Sequence, residues 1–373
     1  MNPTAPSRAI VDLRCYAHNL GVVRKLVGDN VAIAAVVKAD AYGHGLLPLA
    51  QKALETHVAM LGVATVDEGL QLRKAGIRAP ILVLFQPNRE ALAVAVAHRL
   101  TLMVCDVETA RALDEAALKA NKVMPIHCMI DTGMGRQGFH LETAPEQLQF
   151  LTRVPRIDIE GLATHFPVAD KAEDPFTENQ IRTFKQFLKL AAKTGIPFET
   201  AHAANSAAIL NYPAAHFDLV RPGLMTYGVW PVEGPPKPGL ILPVIRWETR
   251  VTQVKTLEAG SSVSYGRTYT TPDRMRAAVL PIGYADGYKH SLSNKADVLI
   301  RGVRCPVRGA VCMDQTVVEV TRVPDVAEGD IATLIGNDGD ETVTVEELAR
   351  HAGTIPYDIL TGIGNRVPRE YVA

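Results

Sequence analysis

The sequence predicts an α/β protein in two parts, a (β/α)8 barrel followed by a mostly antiparallel β domain. Three observations carry that expectation. Short apolar runs alternate with amphipathic stretches over the first two thirds of the chain, the segment "PVEGPPKPG" at 231–239 interrupts the alternation, and the remainder is β-rich. Strands that are apolar nearly throughout need cover on both faces, which parallel strands joined by helices receive.

The elements follow in order. A first helix starts at Asp12, an N-cap residue type, with Leu13, Leu20, Val23 and Val27 as its apolar positions. Candidate strands lie at 31–37, 58–64, 81–85, 101–104, 125–130, 157–164, 198–203 and 217–220. Between them, Thr65-Val-Asp-Glu68 and Thr143-Ala-Pro-Glu146 have capping-box spacing, and Thr177 opens a long helix ending at Gly195. Eight such strands suggest a TIM-type barrel; by counting alone an open doubly wound sheet is the alternative. The segment 231–239 holds four prolines and two glycines, a density no helix or central strand tolerates, and reads as a linker. The expected division is therefore a barrel at 10–235 and a β domain at 236–373, with residues 1–9 packing on the β domain. One helix is expected in that domain, capped at Thr344-Val-Glu-Glu347.

Composition excludes several classes of function. With 39 Lys and Arg against 40 Asp and Glu in 373 residues, the chain lacks the basic surface that neutralises a row of phosphates, so no nucleic-acid partner is expected. No segment approaches the roughly 18 unbroken apolar residues of a membrane span, and the first residues show no apolar signal core, so the expected location is the cytoplasm. Five cysteines without a C-x-x-C pair point to reduced thiols, and the histidine spacing predicts no metal site.

In a barrel, chemistry belongs just past the C-terminal ends of the strands. The polar residues at those places are Lys38, Asp131 and Arg136, His165, Asn205 and Ser206, and Arg221 with Gly223. The loops after the last two strands are the usual phosphate site of such barrels: "HAANSAAIL" sets Ser206 at a helix start, and "RPGLMTYG" supplies Gly223, which lacks a Cβ. A lysine sharing that mouth is either a counter-charge or a Schiff-base former, the latter favoured by burial, which makes a neutral amine easier to reach.

"AVVKADAYGHG" resembles the pyridoxal-phosphate lysine motif of the alanine racemase family. "DTGMGRQGF", "GLATHF", "HAANSAAIL", "RPGLMTYG", "SYGRTY", "PIGYADGY", "CMDQ" and "PYDILTGIGNRVPR" resemble that family's other blocks, in its order, from end to end of the chain. The resemblance implies a homodimeric isomerase that interconverts L- and D-alanine by two bases and supplies D-alanine for peptidoglycan. Lys38 would hold pyridoxal 5′-phosphate as an imine and serve one face of the substrate. Tyr265, supplied by the other subunit, would serve the opposite face. A phenol ionises near pH 10, so a tyrosine base needs support; the family's chain of tyrosine, histidine and arginine falls here on Tyr265, His165 and Arg221. The same arginine faces the pyridine nitrogen in the family, limiting the ring as an electron sink.

By the same resemblance the cofactor is held by Tyr42, Asn205, Ser206, Gly223, Leu224 and Tyr357, and the substrate carboxylate by Arg136. Met313 from the partner subunit assists, Tyr284 lines the entrance, and Cys312 and Asp314 lie nearby. One residue departs from the pattern. Many members carry a carbamylated lysine where this chain has Met129, so Arg136 must be steadied by something else, an anion over Met129 or a neighbouring side chain. The rival readings are a lysine-dependent aldolase, a non-catalytic cofactor carrier, a decarboxylase of basic amino acids on the same plan, and a racemase of broader specificity.

Overall fold

The computed structural model describes residues 5–373, so residues 1–4 of the segment expected to pack on the β domain lie outside the described residues. The chain divides into two compact units, one of residues 17–41 and 46–241, the other of the N-terminal segment to Tyr16, Tyr42–Gly45 and Leu242–Ala373.

In the first unit all eight expected strands form, at Ala32–Val36, Met60–Val63, Ile81–Val83, Thr101–Val104, Met124–Asp131, Ile157–Ala163, Thr200–His202 and Leu219–Val220. Each pairs in parallel with its neighbours. The open-sheet alternative fails on two pairings: Leu219–Val220 lies beside Ala32–Val36, and Thr101–Val104 beside Met124–Asp131, so the sheet closes on itself. Seven of the eight strands contribute to one buried cluster of Ala34, Met60, Leu82, Met103, Met129, Ala163 and Leu219, a group of side chains that can meet only inside a barrel. Two alanines, two leucines and three methionines make up the cluster, and the unbranched methionines fill the uneven space beside the small alanines.

One helix starts where expected but without its capping box, and another starts earlier than expected. Thr143 has helical dihedrals and no side-chain cap, so its spacing to Glu146 is not a capping box. The long helix is Pro175–Lys193, capped by Asp174 with Pro175 at N1, and Thr177 is buried inside it. A proline preset for the first turn, after an aspartate that accepts from the Phe176 N–H, outweighs a threonine two residues on. Thr65 does form a full capping box with Glu68.

The second unit holds a seven-stranded sheet and a three-stranded antiparallel sheet. In the larger one the order runs Val303–Pro306, Asp297–Ile300, Ile331–Asp338, Ile245–Arg250, Ser7–Asp12 and Arg369–Val372, all antiparallel except the last pair, and Glu341–Val343 pairs with Ile331–Asp338. Ser7–Asp12 precedes the first helix, and Asp12 accepts from the N–H groups of Arg14 and Cys15, as its N-cap role requires. Thr344 accepts from the Glu347 N–H at the start of Val345–Ala352, and a second helix, Pro356–Gly362, adds to the single one expected.

Candidate active site

The first barrel strand delivers Lys38 to the mouth, and the backbone then turns the unusual way. Ala39, Asp40, Ala41 and Tyr42 all have φ between 51° and 53°. Four residues with a Cβ in the left-handed region cost about 1–2 kcal/mol each, so their surroundings must impose it. Glu68 accepts from the Ala39 N–H at 2.7 Å, Val37 carbonyl from the Ala41 N–H at 2.8 Å, and Asp40 from the Leu46 N–H at 2.7 Å. Burial lowers the Lys38 ammonium below its ordinary value, with Arg136 and Arg221 adding to the effect and Glu68 opposing it.

Arg221, at the end of the last strand, is buried and heavily bonded. Its Nη2 donates to the carbonyls of Thr164 at 2.8 Å and Ala203 at 3.0 Å and to His165 Nδ1 at 3.2 Å, while Nη1 donates to His202 Nδ1 at 2.5 Å. Burial first, then Arg136, brings its pKa down to about 10, so it stays charged near neutrality. A guanidinium can only donate, which settles both imidazole tautomers: His165 and His202 accept on Nδ1 and carry hydrogen on Nε2. His202 Nε2 then donates to His127 Nδ1 at 2.6 Å, leaving the His127 hydrogen on Nε2, 3.7 Å from a Glu160 carboxylate oxygen. His165 is pushed down to about 3 by burial and by Arg221, Arg136 and Lys38, and His202 well below its ordinary value by burial, Arg221 and His127. Both are neutral imidazoles.

The interior location of His127 depends on two local features. A bulge between Ile126 and His127 shifts the register against the neighbouring strand, which places Gly161 opposite the ring. A Cβ at Gly161 would stand 2.6 Å from His127 Nδ1, so only glycine leaves room.

The loops after the last two strands converge as expected. Asn205 caps the short helix Ser206–Asn211, accepting from the Ala208 N–H, and Ser206 Oγ accepts from the N–H groups of Gly223 at 2.9 Å and Met225 at 3.2 Å. Gly223 has φ −122° and ψ −96°, outside the main regions open to residues with a Cβ, and Leu224 begins the turn that follows. After the fifth strand Asp131 accepts from Gly133 and Gly135, tightening the loop that carries Arg136. Gln180 ties this loop to the next by donating to Thr132 Oγ and to the His165 carbonyl. Met129 packs in the apolar barrel interior.

The remaining candidates lie in the second unit. Tyr42 is buried, and its ring stands 5.8 Å from that of Tyr357; burial, with Tyr357 and Tyr16, raises its hydroxyl above the ordinary value. Tyr265, Tyr284 and Met313 are exposed, at 76%, 45% and 53%. Their segments interlock: Cys312 and Met313 carbonyls accept from Tyr284 and Ala285, and Ser264 Oγ donates to the Ala310 carbonyl and meets Cys312 Sγ at 3.1 Å. The structure thus forms three groups, Lys38 with Arg136, His165, Arg221 and the Ser206–Gly223 loops, then Tyr42 with Tyr357, then Tyr265 with Tyr284 and Met313.

Sequence reasoning missed His202, His127 and Glu68. His202 stood inside a block already singled out, and the His127-Cys-Met129 alternation opposite a glycine was the available signal for an inward ring.

A closed parallel barrel with a desolvated lysine at its mouth, beside the bonded Ser206–Gly223 loops and a buried arginine, is an arrangement suited to the chemistry of lysine-dependent barrel enzymes. A match to the model of the alanine racemase N-terminal domain covers residues 11–231, and one to the C-terminal domain covers residues 244–371. The alanine racemase of Halothermothrix orenii is 41% identical over 368 residues, with 99% of this chain and 97% of the relative aligned, and that of Symbiobacterium thermophilum is 42% identical, with 98% and 97% aligned. Among solved structures, alanine racemase of Clostridium difficile 630 superposes with a TM-score of 0.95 at 34% identity, covering 100% of this chain and 97% of that one. Alanine racemase of Bacillus anthracis with bound L-Ala-P gives 0.94 at 35% identity, covering 100% and 96%. The chain belongs to the alanine racemase family.

Proposed function

We propose that the chain interconverts L- and D-alanine with pyridoxal 5′-phosphate on Lys38, as a cytoplasmic homodimer whose two sites each draw on both subunits. The observation that carries the reading is the barrel mouth itself, where Lys38 lies near Arg221 and the neutral His165 that Arg221 bonds. The donor set fits the cofactor: an amine eased toward neutrality, Ser206 and the backbone of Gly223 and Leu224 at the anion cradle, and a guanidinium that stays charged for the ring nitrogen. Asn205 shapes the same loop. When bound, pyridoxal phosphate supplies an imine to the substrate amine and a conjugated ring that spreads charge from the α-carbon.

The chain's own groups do the rest. Lys38 Nζ takes or returns the α-proton on one face of the substrate, and Tyr265 Oη of the partner subunit does so on the other. His165, with Nδ1 occupied by Arg221, has only its Nε2 hydrogen to offer, and directing it at the Tyr265 oxygen stabilises the phenolate that acts as base. Arg136 orients the substrate carboxylate, with Met313 and Tyr284 of the partner subunit completing the pocket. The dimer reading is supported by the exposure of Tyr265, Tyr284 and Met313 on interlocked segments, an unusual burden of apolar surface for a free face. Among the described residues no helix is long and apolar enough to cross a membrane.

The test is direct. Protein loaded with pyridoxal phosphate is incubated with L-alanine, L-serine and L-lysine separately, and D-enantiomers are followed by chiral chromatography. D-Alanine should form fastest; release of carbon dioxide without any D-amino acid would establish a decarboxylase instead. Borohydride reduction should fix the cofactor on the peptide containing Lys38, and a label on any other lysine overturns the assignment.

A further inference from the structure

Three cations, Lys38, Arg136 and Arg221, face one barrel mouth. Arg221 is fixed by its carbonyl and imidazole partners, and Lys38 by its place at a strand end. Arg136 is exposed on a loop, and among the described residues it makes neither an ion pair nor a hydrogen bond, since the nearby Asp131 carboxylate is taken by Gly133 and Gly135. Met129 is packed among apolar side chains and offers no charge. What does meet Arg136 is the ring of Phe85: the guanidinium Cζ lies 5.1 Å from its centroid, and Lys38 Nζ lies 4.9 Å from the same centroid. Both distances fall inside the range in which an aromatic ring attracts a cation.

The ring is itself held. Phe85 is half-buried beyond the strand Ile81–Val83, and the next residue, Gln86, accepts from the Cys105 N–H and donates to Asp106 Oδ2, each at 2.6 Å. A ring also suits this place better than a carboxylate. A carboxylate would hold the Lys38 ammonium protonated and would compete with a substrate carboxylate for Arg136; a π-face attracts the guanidinium without net charge and without a competing acceptor.

We propose that Phe85 is the positioning residue for Arg136, steadying the guanidinium over the mouth and thereby setting affinity for the substrate carboxylate. The proposal rests on the reading of Arg136 as the carboxylate-binding group.

The test uses the cofactor-loaded protein and two readouts, the dissociation constant of propionate by calorimetry and KM and kcat for both alanine enantiomers. Phe85→Leu should weaken propionate and raise KM by about 3- to 5-fold with kcat little changed, and Phe85→Trp, with the strongest cation-binding face, should restore both. Pentafluorophenylalanine at position 85 keeps the shape and removes the attraction, so it should behave like leucine and serves if Phe85→Leu folds poorly. Propionate binding unchanged in Phe85→Leu, or weakened as much by tryptophan as by leucine, overturns the proposal, the latter marking the ring as a space-filler. Absence of D-alanine formation by the parent protein refutes the racemase reading instead, and propionate binding still reports on Phe85 in that case.

Discussion

His127 and His202 meet at 2.6 Å inside the barrel, over a glycine that leaves the space for them. The contact joins strands that are not sheet neighbours, Met124–Asp131 and Thr200–His202, on either side of Ile157–Ala163. Gly161→Ala should therefore displace the His127 ring and cost about 1–3 kcal/mol of stability, the range for overpacking a filled interior. Denaturant unfolding measures this, and a neutral result would mean the ring moves aside freely.

Arg221→Lys should be worse than a charge-conserving change suggests. A lysine ammonium cannot serve Thr164 and Ala203 carbonyls together with His165 and His202, so buried acceptors lose their donors. The expected loss is about 3–5 kcal/mol of stability, read by denaturant midpoint, together with a fall in racemisation.

Acid should destabilise the barrel through its histidines. His165 is held down to about 3 and His202 lies well below 6.5, so over that window the unfolded chain binds protons the folded chain refuses. Stability then rises with pH up to about 6.5 and is lost as pH falls below it, each buried imidazole contributing up to about 1.4 kcal/mol per pH unit. Melting temperatures across that window should fall less steeply in His202→Gln and His165→Asn; slopes equal to the parent's count against the assignment.

Tyr265→Phe should suppress α-hydrogen exchange unequally for the two alanine enantiomers, since only one face loses its base, whereas Lys38→Ala should abolish exchange for both. Neither variant should racemise alanine, and mixing the two after dissociation gives mixed dimers with one intact site in two, so racemisation should return to about a quarter of the parent's. No recovery on mixing would show that each site is built within one subunit.

Much of this arrangement was legible in the sequence because it depends on strand ends. Lys38, His165, Asn205, Ser206 and Arg221 follow apolar runs directly, and the closed barrel turns that local order into one mouth. The interior was less legible. That His127 faces inward depends on a bulge and on a glycine in another strand, and the role argued for Phe85 depends on two cations that lie 47 residues before it and 51 after it in the chain. A threonine at capping distance proved a partial signal: Thr143 does precede its helix, but its helical dihedrals leave no cap bond, while at Thr177 an aspartate–proline pair starts the helix earlier.

The strand Ser7–Asp12 lies between Ile245–Arg250 and Arg369–Val372, so one sheet contains both the first and the last strand of the described residues. Both partners of this early strand therefore lie more than two hundred residues further along the chain, so the sheet depends on pairings of very long sequence separation. The barrel strands, within 32–220, all precede both of those partners in the sequence. Along Ser7–Asp12, Ser7, Ala9 and Val11 are buried and Arg8, Ile10 and Asp12 partly exposed, so the strand carries two charges on one face, a feature that discourages wrong edge pairing while its own partners are missing.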